Sequence, residues 1–257
     1  MKPAAGPDSL LVIIPAFNEE EAIGGVVRAV HREMPETPVL VIDDCSLDGT
    51  IRAAESAGAE VLRLPHHLGL GGCVQAGYKL AFELGFEYVI RVDGDGQHDA
   101  RDIRRILERL KSSGCEMVIG VRVNGNGGYQ SSLVRSLGIR FFRMVLWPIL
   151  GKPVTDPTSG FVGVNRRALA VFSQSFPLDY PEIEALVVLQ RRRFRFEEVP
   201  CKMRPRVTGR SSITALKSIS YIAHVLLGVF VNVLKYEGPG ARARRRAEAA
   251  RAGDKGE

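Results

Sequence analysis

Tyr88-Val89-Ile90-Arg91-Val92-Asp93-Gly94-Asp95-Gly96-Gln97-His98 is a mostly apolar run that ends in two carboxylates one residue apart. A buried strand followed directly by Asp93 and Asp95 offers hard oxygen donors. Such donors suit a divalent cation that bridges substrate phosphates instead of being caged by protein. Gln97 and His98 follow closely, and the set points to chemistry on a nucleotide diphosphate. A plain Asp/Gly turn is the competing reading, because both residues are common turn formers. The rest of the chain decides between them.

Outward from this stretch, strand-like segments occur at Leu10–Ile14, Val39–Asp43, Glu60–Leu64 and Glu116–Val121, with Tyr88–Val92 between the last two. Amphipathic stretches at about 20–33, 49–57, 71–84 and 100–112 separate them. This βαβα alternation predicts an α/β sandwich around a mostly parallel sheet. Ligands of such sheets bind outside the carboxyl ends of the strands, at a topological switch point. Polar clusters follow three of the strands: Pro15-Ala16-Phe17-Asn18-Glu19, Asp43-Asp44 and Asp93–His98. Three clusters on one edge favour the metal site over the turn.

After residue 122 the pattern changes. A Gly-rich loop (Asn124–Gly128) precedes a basic, apolar helix from about Ser131 to Leu150, interrupted by Pro148. Thr155–Phe161 reads as a turn entering a short strand, residues 182–192 as a helix and Phe194–Pro200 as a further strand. This half is expected to build an acceptor side on the first half, not a separate domain. The Gly69-Leu70-Gly71-Gly72 loop lacks GxGxxG spacing and follows the third strand, which argues against a dinucleotide-binding dehydrogenase.

The four cysteines (Cys45, Cys73, Cys115, Cys201) are scattered with no CxxC pair, against structural zinc or a disulfide framework and in keeping with a reducing cytoplasm. The first residues lack a charged segment followed by a long apolar run, so no signal peptide is expected. Net charge is +6 and uneven: Arg191–Arg210 holds eight Lys/Arg against two Glu, and Ala241–Glu257 six against three acids. Such clusters attract phosphates or acidic lipid headgroups. No aromatic-interleaved motif accompanies them, so nucleic acid is not expected as a partner. Within 215–237, Lys217, Ser220, His224, Gly228, Asn232 and Lys235 fall on one helical stripe in an otherwise apolar segment. It is short for a span of roughly 20 apolar residues. It suits an amphipathic helix lying at a membrane interface; a core helix or an oligomer contact is the alternative.

At this point the motifs match a family. Val12–Glu20 (VIIPAFNEE), Val41–Thr50 (VIDDCSLDGT) and Asp93–His98 (DGDGQH) resemble family 2 glycosyltransferases with the GT-A fold, and most of all the dolichyl-phosphate mannose synthase-like branch. The match continues through Gly120-Val121-Arg122 with Gly125–Gly128, then Asp156–Phe161, then Arg206–Ser212. The resemblance implies a glycosyltransferase domain over 8–213, followed by the amphipathic helix at 214–237 and a basic tail at 238–257. It implies that Pro15, Phe17 and Glu19 hold the base and ribose of a UDP- or GDP-sugar, with Asp44 and Asp43 accepting hydrogen bonds. Asp93 with Gly94 borders the nucleotide, and Asp93, Asp95 and Gln97 flank or ligate Mg2+ or Mn2+. Arg122 and Arg206 contact phosphates, where a planar, permanently charged fork suits oxyanions.

Two departures stand out. Phe17 occupies a position that is often Tyr in this branch, which removes a hydroxyl but keeps a ring for stacking. Ser212 stands where many relatives carry Lys, leaving Lys202, Arg204 or Arg210 to supply the missing charge. The expected reaction is sugar transfer to a polyprenyl phosphate at the cytoplasmic membrane face, for cell-envelope glycan or glycoprotein synthesis. The anionic acceptor needs no general base, and in-line attack inverts the anomeric centre. Arg135 and Arg206 would meet the acceptor phosphate while residues 131–150 and 215–237 approach the lipid, with a separate small membrane protein as a conceivable anchor. Two rivals stand beside this. One is transfer to a hydroxyl, with Asp156, Glu182 or Glu184 as base; the other is a non-catalytic nucleotide-sugar-binding subunit of a membrane assembly.

Overall fold

The computed structural model describes residues 8–122 and 133–203, together with residues 1, 3, 4 and 6. In chain order the elements are β1 (Leu10–Ala16), α1 (Ile23–Glu33), β2 (Val39–Asp43), α2 (Thr50–Ser56), β3 (Glu60–Arg63), α3 (Gly69–Glu83) and β4 (Tyr88–Arg91). They continue with α4 (Asp102–Ser113), β5 (Met117–Arg122), α5 (Leu133–Leu150), β6 (Val162–Asn165), α6 (Arg166–Phe172), α7 (Pro181–Arg191) and β7 (Phe196–Cys201).

One sheet takes the order β3-β2-β1-β4-β6-β5-β7. Every pairing is parallel except those of β6, which runs antiparallel to both β4 and β5. Strands β1, β2 and β5 are buried on both faces, which is why they read as nearly continuous apolar runs and not as alternation. Successive side chains of β1 point to opposite layers. Leu11 and Ile13 join one core with Val74 and Tyr78 of α3 and Leu169 and Phe172 of α6. Leu10, Val12 and Ile14 join the other with Val27 of α1 and Ile103 and Ile106 of α4. The result is the mostly parallel α/β/α sandwich that the sequence predicts.

The chain fills the sheet from β1 outward to β3, then crosses back to lay β4 on the other side of β1. The switch point is therefore the crevice between the carboxyl ends of β1 and β4, where ligands of such sheets bind. Because β6 is reversed, its leading residues Gly160 and Phe161 arrive at that same edge.

Helix α6 was not expected from the pattern. It is short, and Asn165 both ends β6 and caps the helix, its side chain accepting from the N–H groups of Arg167 and Ala168. A seven-residue helix with three buried positions is too brief for periodicity to reveal. Helix α4 stops close to the end of the amphipathic stretch, with Gly114 in the left-handed conformation (φ 62°). Strand β7 starts two residues later than expected, because Arg193 turns at φ 58° and the Phe194 N–H still closes α7 on Leu189.

Strands β6 and β7 hydrogen-bond into the same sheet as β1–β5. The chain then returns to the DGDGQH turn: the Lys202 N–H donates to Asp102 (2.8 Å) and Met203 forms an antiparallel bridge with His98. Among the described residues no helix is long and apolar enough to cross a membrane. The bound near residue 213, the helix expected at 214–237 and the tail at 238–257 lie outside the described residues.

Candidate active site

The loops after β1 and β2 are fastened to each other by side-chain to backbone hydrogen bonds. The Asn18 N–H donates to Ser46 Oγ (2.9 Å), and the Leu47 N–H donates back to Asn18 Oδ1 (2.9 Å). The Glu19 N–H donates to Thr50 Oγ1 (2.8 Å), while the Gly49 N–H donates to the Glu20 carboxylate. Asp48 accepts from Thr50 and Glu20; partial burial pushes its carboxyl up, but these bonds outweigh that and hold it below the ordinary range. The clamp fixes Phe17, Glu19 and Asp44 along one wall of a cavity of about 430 Å3, a size typical of small-ligand pockets.

Asp44 braces the next wall. Its carboxylate accepts from the Leu68 N–H (2.7 Å) and lies 3.0 Å from His67 Nδ1. This brings the His67 ring to 4.5 Å from the half-exposed ring of Phe17, so two rings border the cavity. Asp43 departs from expectation. Its side chain is buried, one oxygen accepting from the Ser46 N–H at 3.2 Å, and it is not among the cavity-lining residues. Its other oxygen is buried without a hydrogen-bond partner among the described residues, and the backbone reverses just beyond it, Cys45 adopting φ 70°.

The turn after β4 closes on itself. The Asp93 N–H donates to His98 Nδ1 (3.1 Å), and the Gln97 N–H to Asp95 Oδ1 (3.0 Å). Burial lowers the basicity of His98, more than the nearby Asp93 and Asp95 raise it. With Nδ1 accepting, the neutral ring carries its proton on Nε2, 3.7 Å from Asp93 Oδ2, and stacks on Phe161. His98 thus supports the turn. Arg91, only 3% exposed, donates through Nη2 to Asp93 (3.1 Å) and to Glu182 of α7 (2.7 Å). Desolvation works against the Asp93 carboxylate, yet the Arg91 guanidinium beside it is the main opposing influence, and its carboxyl stays below the usual range.

The far wall comes from the second half. Arg122, at the end of β5, forms an ion pair with Asp156 (3.1 Å), and Thr158 donates to the other Asp156 oxygen (2.9 Å). Gly160 leaves room for Asp93: a Cβ there would lie 2.5–2.6 Å from the carboxylate oxygens and 2.8 Å from Arg91 Nη2. Gly160→Ala is therefore expected to lower kcat/KM about 100-fold by displacing Asp93, since misplacements near 1 Å cost that much. Overpacking costs roughly 1–3 kcal/mol of stability, so steady-state kinetics beside a melting curve separates the two effects.

Cys73 also lines the cavity, but burial first, then Asp44, push its thiol up to about 12, so it is an inert wall and not a nucleophile. Of the residues singled out from sequence, Pro15, Phe17, Glu19, Asp44, Asp93, Gly94, Asp95, Gln97 and Arg122 line this one cavity. Arg206 lies outside the described residues, and so does the side chain of Arg135; Met203 lines the cavity at the last described position. Sequence reasoning missed Arg91 and His67. Glu182 and Glu184 lie on a helix and so diverge: Glu182 borders the cavity and Glu184 does not.

Among the described residues no three His, Cys, Asp or Glu side chains gather into a cage. Asp95, Gln97 and Asp93 supply one to three oxygen donors at an open wall. That donor set fits Mg2+ or Mn2+, which keep water and substrate phosphates as their remaining ligands. Asp93 is held by Arg91 at 3.1 Å, and Asp95 accepts the Gln97 N–H at 3.0 Å.

The chain that builds this cavity has relatives among known proteins. The profile of Glycosyl transferase family 2 matches residues 11–172. An undecaprenyl-phosphate mannosyltransferase of Micrococcus luteus is 34% identical, over 80% of this chain and 87% of the relative. A UDP-N-acetylglucosamine–dolichyl-phosphate N-acetylglucosaminyltransferase of Methanococcus voltae is 28% identical, over 75% and 84%. Among solved structures, glucosyl-3-phosphoglycerate synthase of Mycobacterium tuberculosis, bound to Mn2+, UDP-glucose and phosphoglyceric acid, superposes with a TM-score of 0.68. It covers 86% of this chain and 79% of its own length at 22% identity, a likeness that speaks to the GT-A-type fold alone. The family profile spans the strands whose ends build the cavity, and on that match the chain belongs to glycosyltransferase family 2.

Proposed function

We propose that the protein transfers a sugar from a nucleotide diphosphate-sugar to a polyprenyl phosphate, with Mg2+ or Mn2+, at a membrane surface. The observation that carries this is the single cavity lined by Phe17, Asp44, Asp93, Asp95 and Arg122, in a chain 34% identical to a polyprenyl-phosphate mannosyltransferase. Phe17, with His67 beside it, stacks on the base, and Asp44 accepts from base or ribose hydrogens. Asp95 and Gln97, with Asp93 adjoining, hold the cation, which when bound neutralises charge on the diphosphate. Arg122 adds fixed positive charge for the leaving diphosphate, the kind of preorganised electrostatics that usually dominates such catalysis.

The acceptor phosphate is already anionic and attacks in line without a base, inverting the anomeric centre. Arg206, in the basic stretch that follows Met203 in the sequence, is our candidate to meet that phosphate. Transfer to a hydroxyl would require a base, and the nearby carboxylates are occupied: Glu182 accepts from Arg91 and Asp156 pairs with Arg122.

Incubation with UDP- or GDP-linked radiolabelled sugar, Mn2+ and undecaprenyl phosphate is expected to place label in an organic-extractable, acid-labile lipid. Label recovered only as water-soluble glycoside would reassign the acceptor. No turnover with any donor would favour a non-catalytic subunit.

A further inference from the structure

Glu182 is held at the cavity wall by two features far from it in the chain. One carboxylate oxygen, Oε1, accepts from Arg91 Nη2 at 2.7 Å. The same nitrogen donates to Asp93 at 3.1 Å, so the two carboxylates stand side by side. The second feature is Gly71 of α3, where a Cβ would run into the backbone of Pro177 and Leu178. Its bare Cα lets the segment leading into α7 lie directly against α3, which anchors the first turn that carries Glu182. The Glu182 side chain is 15% exposed and lines the cavity. Among the described residues its second oxygen, Oε2, has no hydrogen-bond partner. One oxygen suffices to neutralise Arg91, and the other is left for what fills the cavity.

We propose that Glu182 reads the sugar of the donor, Oε2 accepting from a hydroxyl of the hexose, and so helps decide which nucleotide-sugar is used. The inference rests on the transferase reading and deepens it. An ionised carboxylate only accepts hydrogen bonds, so the phosphates of donor and acceptor offer it nothing and repel it. The neutral hydroxyls of a hexose are the partners it suits. With Phe17 and Asp44 on base and ribose and Asp95 at the diphosphate, the hexose is the part of the donor left to meet a residue beside Asp93. A carboxylate fixed by a permanently charged guanidinium discriminates well. A sugar without the matching hydroxyl leaves a largely buried acceptor unpaired.

Calorimetry on the full chain with Mn2+ and no acceptor tests this, using UDP, GDP, UDP-glucose, UDP-N-acetylglucosamine and GDP-mannose. Glu182→Gln keeps an oxygen for Arg91 and puts an amide in place of the free acceptor. The variant is expected to bind the preferred nucleotide-sugar about 10- to 100-fold more weakly, the range for a hydrogen bond to a charged group. Its affinity for the matching nucleotide diphosphate is expected to stay at the wild-type value. In wild type, one singly deoxygenated form of that sugar is expected to bind more weakly by a similar factor. In Glu182→Gln the same analogue is expected to bind no worse than its parent. An equal loss for nucleotide and nucleotide-sugar would overturn the proposal, assigning Glu182 to the support of Arg91 and the metal. Deoxygenated donors that all match their parent in wild type would overturn it too, whether or not the variant folds. Binding of no nucleotide at all would remove the transferase reading and this inference together, whereas the first two results leave that reading intact.

Discussion

Asp95→Ala is expected to lower metal-dependent sugar transfer by at least about 1,000-fold. Mg2+ and Mn2+ sites of this open kind draw on only one or two protein carboxylates, and Asp93 is already held by Arg91 at 3.1 Å. Under the proposed assignment, removing Asp95 takes away the main protein ligand. The lost charge stabilisation is worth several kcal/mol, and each 1.36 kcal/mol is ten-fold in rate. Asp95 also accepts the Gln97 N–H, so loss of activity in the alanine variant could come from a loosened turn. Asp95→Asn keeps that acceptor while removing the charge, and is expected to fail nearly as badly. Initial rates across a Mn2+ titration, beside direct Mn2+ binding by calorimetry, check both variants. Full activity in Asp95→Asn would refute the metal assignment.

The second large effect is expected at Arg91. Arg91→Met preserves volume but leaves the carboxylates of Asp93 and Glu182 without their shared cation. Breaking a buried ion pair by removing one partner costs about 3–5 kcal/mol. For a domain of this size that corresponds to a fall in Tm of roughly 6–20 °C. Without Arg91 the desolvation of Asp93 goes largely unopposed and its carboxyl rises. Sign matters here: a carboxyl held low in the fold stabilises above its unfolded value, and that contribution fades as pH falls through the folded value. The variant is therefore expected to lose more stability relative to wild type at neutral pH than in acid. Adding Glu182→Gln removes one unpaired charge and is expected to recover part of the Tm. It should not recover transfer, because Asp93 still lacks its fixed partner. Thermal melts across pH and a double-mutant cycle test this; independent, additive effects would show that the pair is not coupled.

These two positions also mark how far sequence carries. Asp93, Asp95, Phe17, Asp44 and Arg122 were legible because each sits at the carboxyl end of a strand, and the strand ends of a parallel sheet share an edge. Arg91 was not legible. It is a lone cation inside an apolar run, and its partner Glu182 is 91 residues away, on a helix that no local pattern relates to β4. His67 was hidden for the same reason, since only the crossing from β3 to α3 brings it beside Phe17. The motif put Asp44 first with Asp43 as its companion; of the two only Asp44 lines the cavity, the backbone reversing at Cys45 just after it. The reading of 182–192 as helix was enough to separate Glu182 from Glu184, but not to say which of them faces the site.

The reversed strand β6 has a consequence for how the protein is made. Strands β4 and β5 follow one another in chain order yet do not pair; β6, synthesised some forty residues after β5 begins, lies between them. A nascent chain emerging in order can zip β1, β2, β3 and β4 together early. It then carries an unpaired β4 edge until Val162–Asn165 leaves the ribosome, and open edges of this kind invite wrong partners. The nucleotide wall is thus built first and left waiting, and the arginine wall is added last, as the keystone strand slides in. Premature termination anywhere between residues 122 and 162 leaves half a pocket with a sticky border, the truncation a cell has most reason to degrade.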